Sequence, residues 1–435
     1  MARVSTYKYT VTVAGSKFVL DGVSNPRLVL FPGCTYEFDQ AEGTNGSQPL
    51  RFATAADAAG SSEYTTGVTT NGTPGSAGAW TKIEVTGDTP YLLYYYSTGA
   101  SSYGNYVNVP PNYVKGNRAI FISGYTPSTS QGMEFIQINT TGNTTDFGDM
   151  SSYGNSEGAS CGSNFTRSVI NHDRTGGASP GANTSTQEQI TIASQGNSAN
   201  FGNITANGEN SSGMGGSNSI KGFRMGSFNS YGSQVPDTFA TNDILFYYLA
   251  TEGSTADFGD LTYAHYNYGS CAGSDTRMIH SGGSYYGGSP QTTRTRNIID
   301  YWTIASSGNA TDFGDLLGAT NTQAGLSNGT RSVFQGGAPA PADQGGETGR
   351  TNVVSYVTVS STGNATDFGD LTTARMSSMG MSNATRGVCA GGTTPSLSDI
   401  IDYITIASTS NSTDFGDIAT AKQGGGAAGD GHGGL

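Results

Sequence analysis

Charge is scarce in this chain. Only 12% of its 435 residues are Asp, Glu, Lys or Arg, and the 20 Lys and Arg are outnumbered by 33 Asp and Glu. Contact with a phosphate backbone needs clustered basic residues. Scattered ones, on a chain of net charge −13, argue against nucleic acid and anionic membranes as partners. Cysteine is also rare. Cys34, Cys161, Cys271 and Cys389 stand far apart with no CxxC pair, which removes zinc knuckles and redox motifs and leaves buried free thiols as the expectation. No run approaches the ~20 apolar residues of a membrane-spanning helix. The opening MARVSTYKYT lacks the apolar core of a secretory signal, so synthesis in a cytoplasm without membrane insertion is expected. Apolar residues rarely recur at a helical period. No HExxH, P-loop or Gly-x-Ser-x-Gly elbow occurs.

Glycine is plentiful: its 65 residues are about twice the usual share. Ser, Thr and Asn are abundant too. Such a composition can mean disorder, but 24 Tyr, 18 Phe and many Val/Ile-rich runs argue for an all-β protein of short strands and tight turns.

Six segments end alike: GNTTDFGDM (142–150), GNSANFGNI (196–204), GSTADFGDL (253–261), GNATDFGDL (308–316 and 363–371) and SNSTDFGDI (410–418). Their phenylalanines, Phe147, Phe201, Phe258, Phe313, Phe368 and Phe415, recur about every 55 residues, with a shorter last interval. Upstream lies a second repeated strand: TRSVINHD (166–173), TRMIHSGG (276–283), TRSVFQGG (330–337), TRGVCAGG (385–392), and the looser NRAIFISG (117–124) and KGFRMGS (221–227). A loop of variable length follows. Then comes an alternating strand, as in IIDYWTIAS (298–306), with Tyr301, Thr303 and Ala305 on one face and Trp302 and Ile304 on the other. With a further strand after each DFGDL, as in LTTARMSSMGMS (371–382), each unit supplies four strands. The first unit, starting at Asn117, has no such strand of its own. The segment 419–435 after the last DFGDI is expected to provide it.

DFGD itself invites a calcium reading. Calcium needs six to eight converging oxygens, which two Asp do not supply, and one copy reads NFGN. The structural reading is preferred: each Phe is buried between units, Gly314 and its equivalents allow a bulge, and Asp312 and Asp315 accept backbone N–H bonds in the turn. The recurring Arg167, Arg277, Arg331 and Arg386 are expected to reach DFGD carboxylates. Asn309-Ala-Thr and Asn364-Ala-Thr match glycosylation acceptors but read as turn chemistry.

Four-stranded units repeated round a ring make a β-propeller. The order GG, Tyr, aromatic resembles the kelch and galactose-oxidase-like propellers, with Phe where kelch repeats carry Trp. The expectation is a six-bladed kelch-like β-propeller over 117–435, closed by the C-terminal strand. Residues 1–109 do not share the repeat. They read as strands at 7–13, 17–22, 27–40, 50–54, 80–87 and 90–99. LVLFPGCTYEFDQ, QPLRFAT and PYLLYYYS resemble a cupredoxin-like β-sandwich. That resemblance puts a copper His where Gln48 stands and the copper Cys where Ser97 stands. The histidines, His172, His265, His280 and His432, all lie outside the module, so no copper or other cofactor is expected there. Cys34 is expected in the core. A short linker, 110–116, containing Pro110-Pro111, separates the two domains.

His265 and His280 fall in one repeat, but nothing sets them at metal-ligand spacing, and the sialidase box is absent, so no enzyme is expected. The loops at 173–187, 229–242, 285–296 and 338–350 vary on a constant frame, the usual plan of a recognition surface. Tyr285, Tyr286, Arg294 and Arg296 are its candidate anchors, since Tyr and Arg dominate hot spots. Repeats such as IDYWTIASSGNATDFGDL (299–316) after a cupredoxin-like module resemble virion proteins of marine tailed bacteriophages. The resemblance implies a tail-fibre, appendage or capsid-surface component of the virion, assembled in the host cytoplasm as a homo-oligomer. Its sandwich would dock on other virion proteins, and its propeller would face a host glycan or protein. The alternatives are a capsid or tail decoration without a receptor, and a propeller enzyme acting on polysaccharide.

Overall fold

The computed structural model describes residues 6–30, 34–59, 62–86, 89–90, 92–109, 117–126, 130–151, 159–171, 186–204, 214–226, 240–265, 269–287, 292–340 and 349–431. Among them the chain is all-β, with two short 3-10 turns and no α-helix. No helix is long and apolar enough to cross a membrane. Contacts divide the chain into Met1–Lys115 and Gly116–Leu435. The junction 110–116, with Pro110-Pro111, lies outside the described residues.

In the first unit a six-stranded and a four-stranded sheet share one core. Phe18, Phe38, Phe52, Leu93 and Tyr95 are buried there, and Cys34 joins them as expected. Alternation sets the faces: Thr35–Asp39 buries Tyr36 and Phe38 and turns Thr35, Glu37 and Asp39 outward. Thr6–Ala14 runs parallel to Thr35–Asp39. Three short strands were not legible in the sequence: Val23–Ser24, Val68–Asn71 and Tyr106–Asn108.

The second unit contains six four-stranded antiparallel sheets. Sheets 2 to 6 are continuous in sequence. In sheet 6 the strands run Met379–Ser382, Arg386–Ala390, Ile400–Thr405 and Thr413–Asp417. Sheet 1 takes its second, third and fourth strands from Arg118–Ile122, Gly132–Gln137 and Thr145–Asp149. Its first strand is Gly426–Gly429, paired antiparallel with Arg118–Ile122.

The sheets contact one another in circular order. Each first strand lies beside the next, and Gly426–Gly429 lies beside both Met379–Ser382 of sheet 6 and Ser160–Ser163 of sheet 2. Six hydrophobic clusters fill the six junctions. One joins Ile279, Ile299 and Phe313 of sheet 4 to Phe334 and Val357 of sheet 5. Another joins Met379, Val388 and Phe415 of sheet 6 to Ala119, Phe121 and Ile136 of sheet 1. All six repeat phenylalanines are at most 2% exposed. Burial of each contributes about 1.5–3 kcal/mol. Each aromatic ring meets another edge-on, as Tyr301 meets Phe313 with centroids 5.8 Å apart.

The repeated cations also close a circle. Arg118 donates to the carbonyl of Ile192, Arg167 to Leu249, Lys221 to Ile304, Arg277 to Val359, Arg331 to Ile406 and Arg386 to Ile138, over 2.7–3.1 Å. Each bond runs from one sheet to the next, and the last returns to sheet 1. The expected Arg–DFGD ion pairs are absent among the described residues. The guanidinium lies instead over an aromatic ring of its own sheet, as that of Arg277 lies 4.4 Å from the Tyr301 ring. An open carbonyl at the end of the neighbouring strand is within reach; the DFGD carboxylates are not.

The DFGD turn needs a second correction. The acceptor is the Asn of the next repeat, not an Asp. Asn364 Oδ1 accepts the Asp315 N–H at 3.0 Å, and Asn197, Asn309, Asn411 and Asn143 do the same for Asp149, Asp260, Asp370 and Asp417. Gly314 sits at φ 148°, and a Cβ there would lie 2.5 Å from the Gly363 carbonyl oxygen. The ladder skips a residue opposite Ile299/Asp300, so the bulge falls at Phe313 and turns its ring inward. Gly314→Ala should therefore cost about 1–3 kcal/mol, read as a shift of the urea midpoint at unchanged m-value.

Candidate functional site

Of the variable loops, 172–185, 227–239, 288–291 and 341–348 lie outside the described residues, as do His172 and His432. The hairpin of sheet 4 carries the sequence-predicted anchors. Ser284–Gly287 pairs with Thr292–Thr295, placing Tyr285 opposite Arg294 and Tyr286 opposite Thr293. The Tyr286 side chain is outside the description. Tyr285, Arg294 and Arg296 are half-buried. The Arg296 guanidinium lies 4.4 Å from the Tyr285 ring and 5.2 Å from the Tyr263 ring. The hairpin base is held on both sides: Arg296 N–H donates to Gly283 O at 3.2 Å, and Asn321 Nδ2 donates to Ser284 Oγ at 2.7 Å. Tyr285 and Arg294 thus lie on a braced two-stranded ribbon with Arg296 at its base, and cross-strand pairing puts Tyr285 and Arg294 side by side.

Beneath the hairpin the structure brings together two residues that the sequence left unconnected. His265 ends the fourth strand of sheet 3, Ala256–His265. His280 lies on the second strand of sheet 4, Arg277–Ser281. Both are fully buried, and their rings stack with centroids 4.4 Å apart and planes 16° from parallel. Gly226 and Gly269 leave room for them; a Cβ at either would meet an imidazole atom within 2.5 Å. Among the described residues none of the four ring nitrogens has a hydrogen-bond partner. Burial lowers the His265 pKa to about 4, and burial together with the neighbouring His265 holds His280 well below its ordinary value. Tyr263 packs against both rings, and its hydroxyl donates to the Gly282 carbonyl at the root of the hairpin. Among the described residues no three His, Cys, Asp or Glu side chains converge as a metal site would require.

A set of buried acids was missed by sequence reasoning. The third-strand residue at the bulge is Glu134, Glu188, Asp300 and Asp402 in sheets 1, 2, 4 and 6, and Leu245 and Ser355 in sheets 3 and 5. Each acid is met by the segment that precedes it round the circle. Asp402 pairs with Arg375 at 2.9 Å, both side chains fully buried, and accepts from Thr372. Glu134 pairs with Lys422 at 2.8 Å and accepts from Ala419 N–H. Burial alone would raise the Glu134 carboxyl; Lys422, Thr144 and Ala419 outweigh it and hold it below its ordinary value. Asp300 accepts from Thr262 N–H and Oγ1, and burial raises it. The signal was present in DFGDLTTAR, DFGDIATAK and DFGDLTYAH. Arg375, Lys422 and His265 stand at the same distance after the repeat, and Thr320 stands there before the sheet that carries Ser355.

On the circle's axis a cavity of about 110 Å³ is lined by Ser160, Gln323, Ser377, Gly425 and neighbours. Among the described residues Ser160 Oγ and Gln323 Oε1 lack partners, which suits water rather than an apolar ligand. In the first unit, Gln48 and Ser97 do meet: Ser97 Oγ donates to Gln48 Oε1 at 2.7 Å. Two neutral side chains satisfying each other occupy the positions that the cupredoxin resemblance assigns to copper ligands.

Comparison with known proteins gives no match: neither a family model nor a curated protein aligns with the chain.

Proposed function

We propose that residues 117–435 form a six-bladed kelch-like β-propeller and residues 1–109 a cupredoxin-like sandwich without copper. On this reading the chain is a non-enzymatic bacteriophage virion protein, a tail fibre or appendage whose propeller displays loops for attachment to a host-surface glycan or protein. The propeller reading is supported by the circular order of six four-stranded sheets, their six junction clusters and the six Arg or Lys bonds from sheet to sheet. The attachment reading rests on one observation: a ribbon braced at its base presents Tyr285 beside Arg294, with Arg296 packed on Tyr285. An aromatic face beside a guanidinium suits a sugar ring that carries polar or acidic groups. The virion assignment rests on the repeat's resemblance to phage surface proteins.

The full chain, assayed against host cell-envelope polysaccharide and intact host cells, is expected to bind. Tyr285→Ala and Arg294→Ala should each weaken binding at least about tenfold, as hot-spot truncations do. Binding that both variants retain would move the site elsewhere. No binding at any concentration, with the chain still present in purified particles, would leave a decoration protein.

A further inference from the structure

Sheets 4 and 6 share one design with different chemistry. In sheet 6 Cys389 lies opposite Asp402, and Arg375, reaching in from the preceding segment, bonds both the Cys389 carbonyl and the Asp402 carboxylate. In sheet 4 His280 lies opposite Asp300, and the residue at the Arg375 position is His265, stacked on His280. A permanent cation is thus replaced by a side chain that can gain or lose its proton. The two rings are fully buried and stacked, and among the described residues no acceptor bonds any of their nitrogens. A proton on either ring places an unpaired charge in the interior beside a second imidazole.

We propose that the His265–His280 stack is an acid-operated joint: protonation of either ring opens the contact between sheets 3 and 4 and frees the paired strands Ser284–Gly287 and Thr292–Thr295. The mechanical link is Tyr263, which touches both rings, bonds Gly282 and lies against Arg296. The joint does not depend on what the hairpin binds.

The neighbouring titratable and charged groups are Asp300 and Cys271 on the strands either side of His280, Tyr263 and Arg296, and Arg224 and Asp243 on the strands near His265. The signs differ among them. A histidine whose folded pKa lies below its unfolded 6.5 takes up its proton more readily when unfolded. It therefore removes stability as pH falls from 6.5 to about 4, by up to about tenfold per pH unit in the opening equilibrium. Asp300 and Asp243 are raised by burial and run the opposite way, holding protons more tightly when folded. Cys271 is pushed up and stays a neutral thiol across this range. The histidine contribution is isolated by variants that keep both carboxylates.

The test is hydrogen exchange of the full chain between pH 7 and pH 4.5, corrected for the intrinsic rate. In the native sequence, protection at residues 261–265, 277–287 and 292–295 should fall first, about tenfold or more below the trend of sheets 1 and 6. His265→Gln/His280→Phe should remove that excess loss; Phe stands at the equivalent position in sheets 1 and 5, as Phe121 and Phe334. His265→Arg/His280→Cys, which copies sheet 6, should remove it too. Opening that begins at another junction in the native chain overturns the proposal even if no variant folds. So does an equal excess loss in a folded variant.

Discussion

Arg375→Ala is expected to destabilise the chain by about 3–5 kcal/mol, the cost of leaving a buried charge unpaired. Arg375 and Asp402 are both fully buried, their 2.9 Å contact is the closest ion pair to either, and Thr372 is the carboxylate's other side-chain donor. Without the guanidinium, the fully buried Asp402 carboxylate loses its cation and keeps the bonds from Thr372. Sheet 5 shows how the pair can be dispensed with: Ser355 and Thr320 stand where sheet 6 has Asp402 and Arg375. Arg375→Thr/Asp402→Ser should therefore recover most of the loss, because removing both charges is often neutral. Urea melts of the three chains measure the effect. An Arg375→Ala cost below about 1 kcal/mol, the range of exposed pairs, would show that water reaches the site.

The second large effect is expected from ending the chain at Ile418. That change removes Gly426–Gly429, which pairs with Arg118–Ile122 over four residue positions, together with Lys422 and the Asp430 carboxylate that accepts the Arg118 N–H. Lost ladder bonds alone account for about 4 kcal/mol at about 1 kcal/mol each. Ile120 and Ile122 become exposed on an unpaired edge, and Glu134 keeps its charge without its partner. In the truncated chain the unit that starts at Gly116 should melt at lower temperature than in the full chain and aggregate through the uncovered strand. A monomeric truncated chain with an unchanged melt would mean that the circle of sheets does not depend on that strand.

What the sequence made legible follows from repetition. Six copies of one aromatic, one Gly and one alternating strand average out local ambiguity. The four-strand unit, the buried Phe147 to Phe415 and the return of the segment 419–435 to the unit that starts at Asn117 were therefore all readable; the strand itself, Gly426–Gly429, is narrower. Partners across a junction were harder to read. Arg277 was expected to pair with an Asp because opposite charges attract, yet it bonds the Val359 carbonyl; an accessible backbone acceptor outcompetes a carboxylate that water already solvates. The buried acids escaped because their partners arrive from a different repeat, and because Leu245 and Ser355 interrupt the pattern. In the first unit, Val68–Asn71 was overlooked because its residues are largely exposed and show no alternation. The copper-ligand positions Gln48 and Ser97 were named from a resemblance, and their hydrogen bond could not be deduced from spacing.

The bond between Arg118 and Asp430 spans 312 residues of sequence. At a translation rate of about 5–20 residues per second, roughly 15–60 s separate the emergence of its two ends. Sheets 2 to 6 each complete themselves from neighbouring hairpins as they leave the ribosome, whereas sheet 1 waits. Throughout that interval the nascent chain carries an open strand at Arg118–Ile122, which makes the time before the final zippering the period when a chaperone matters most.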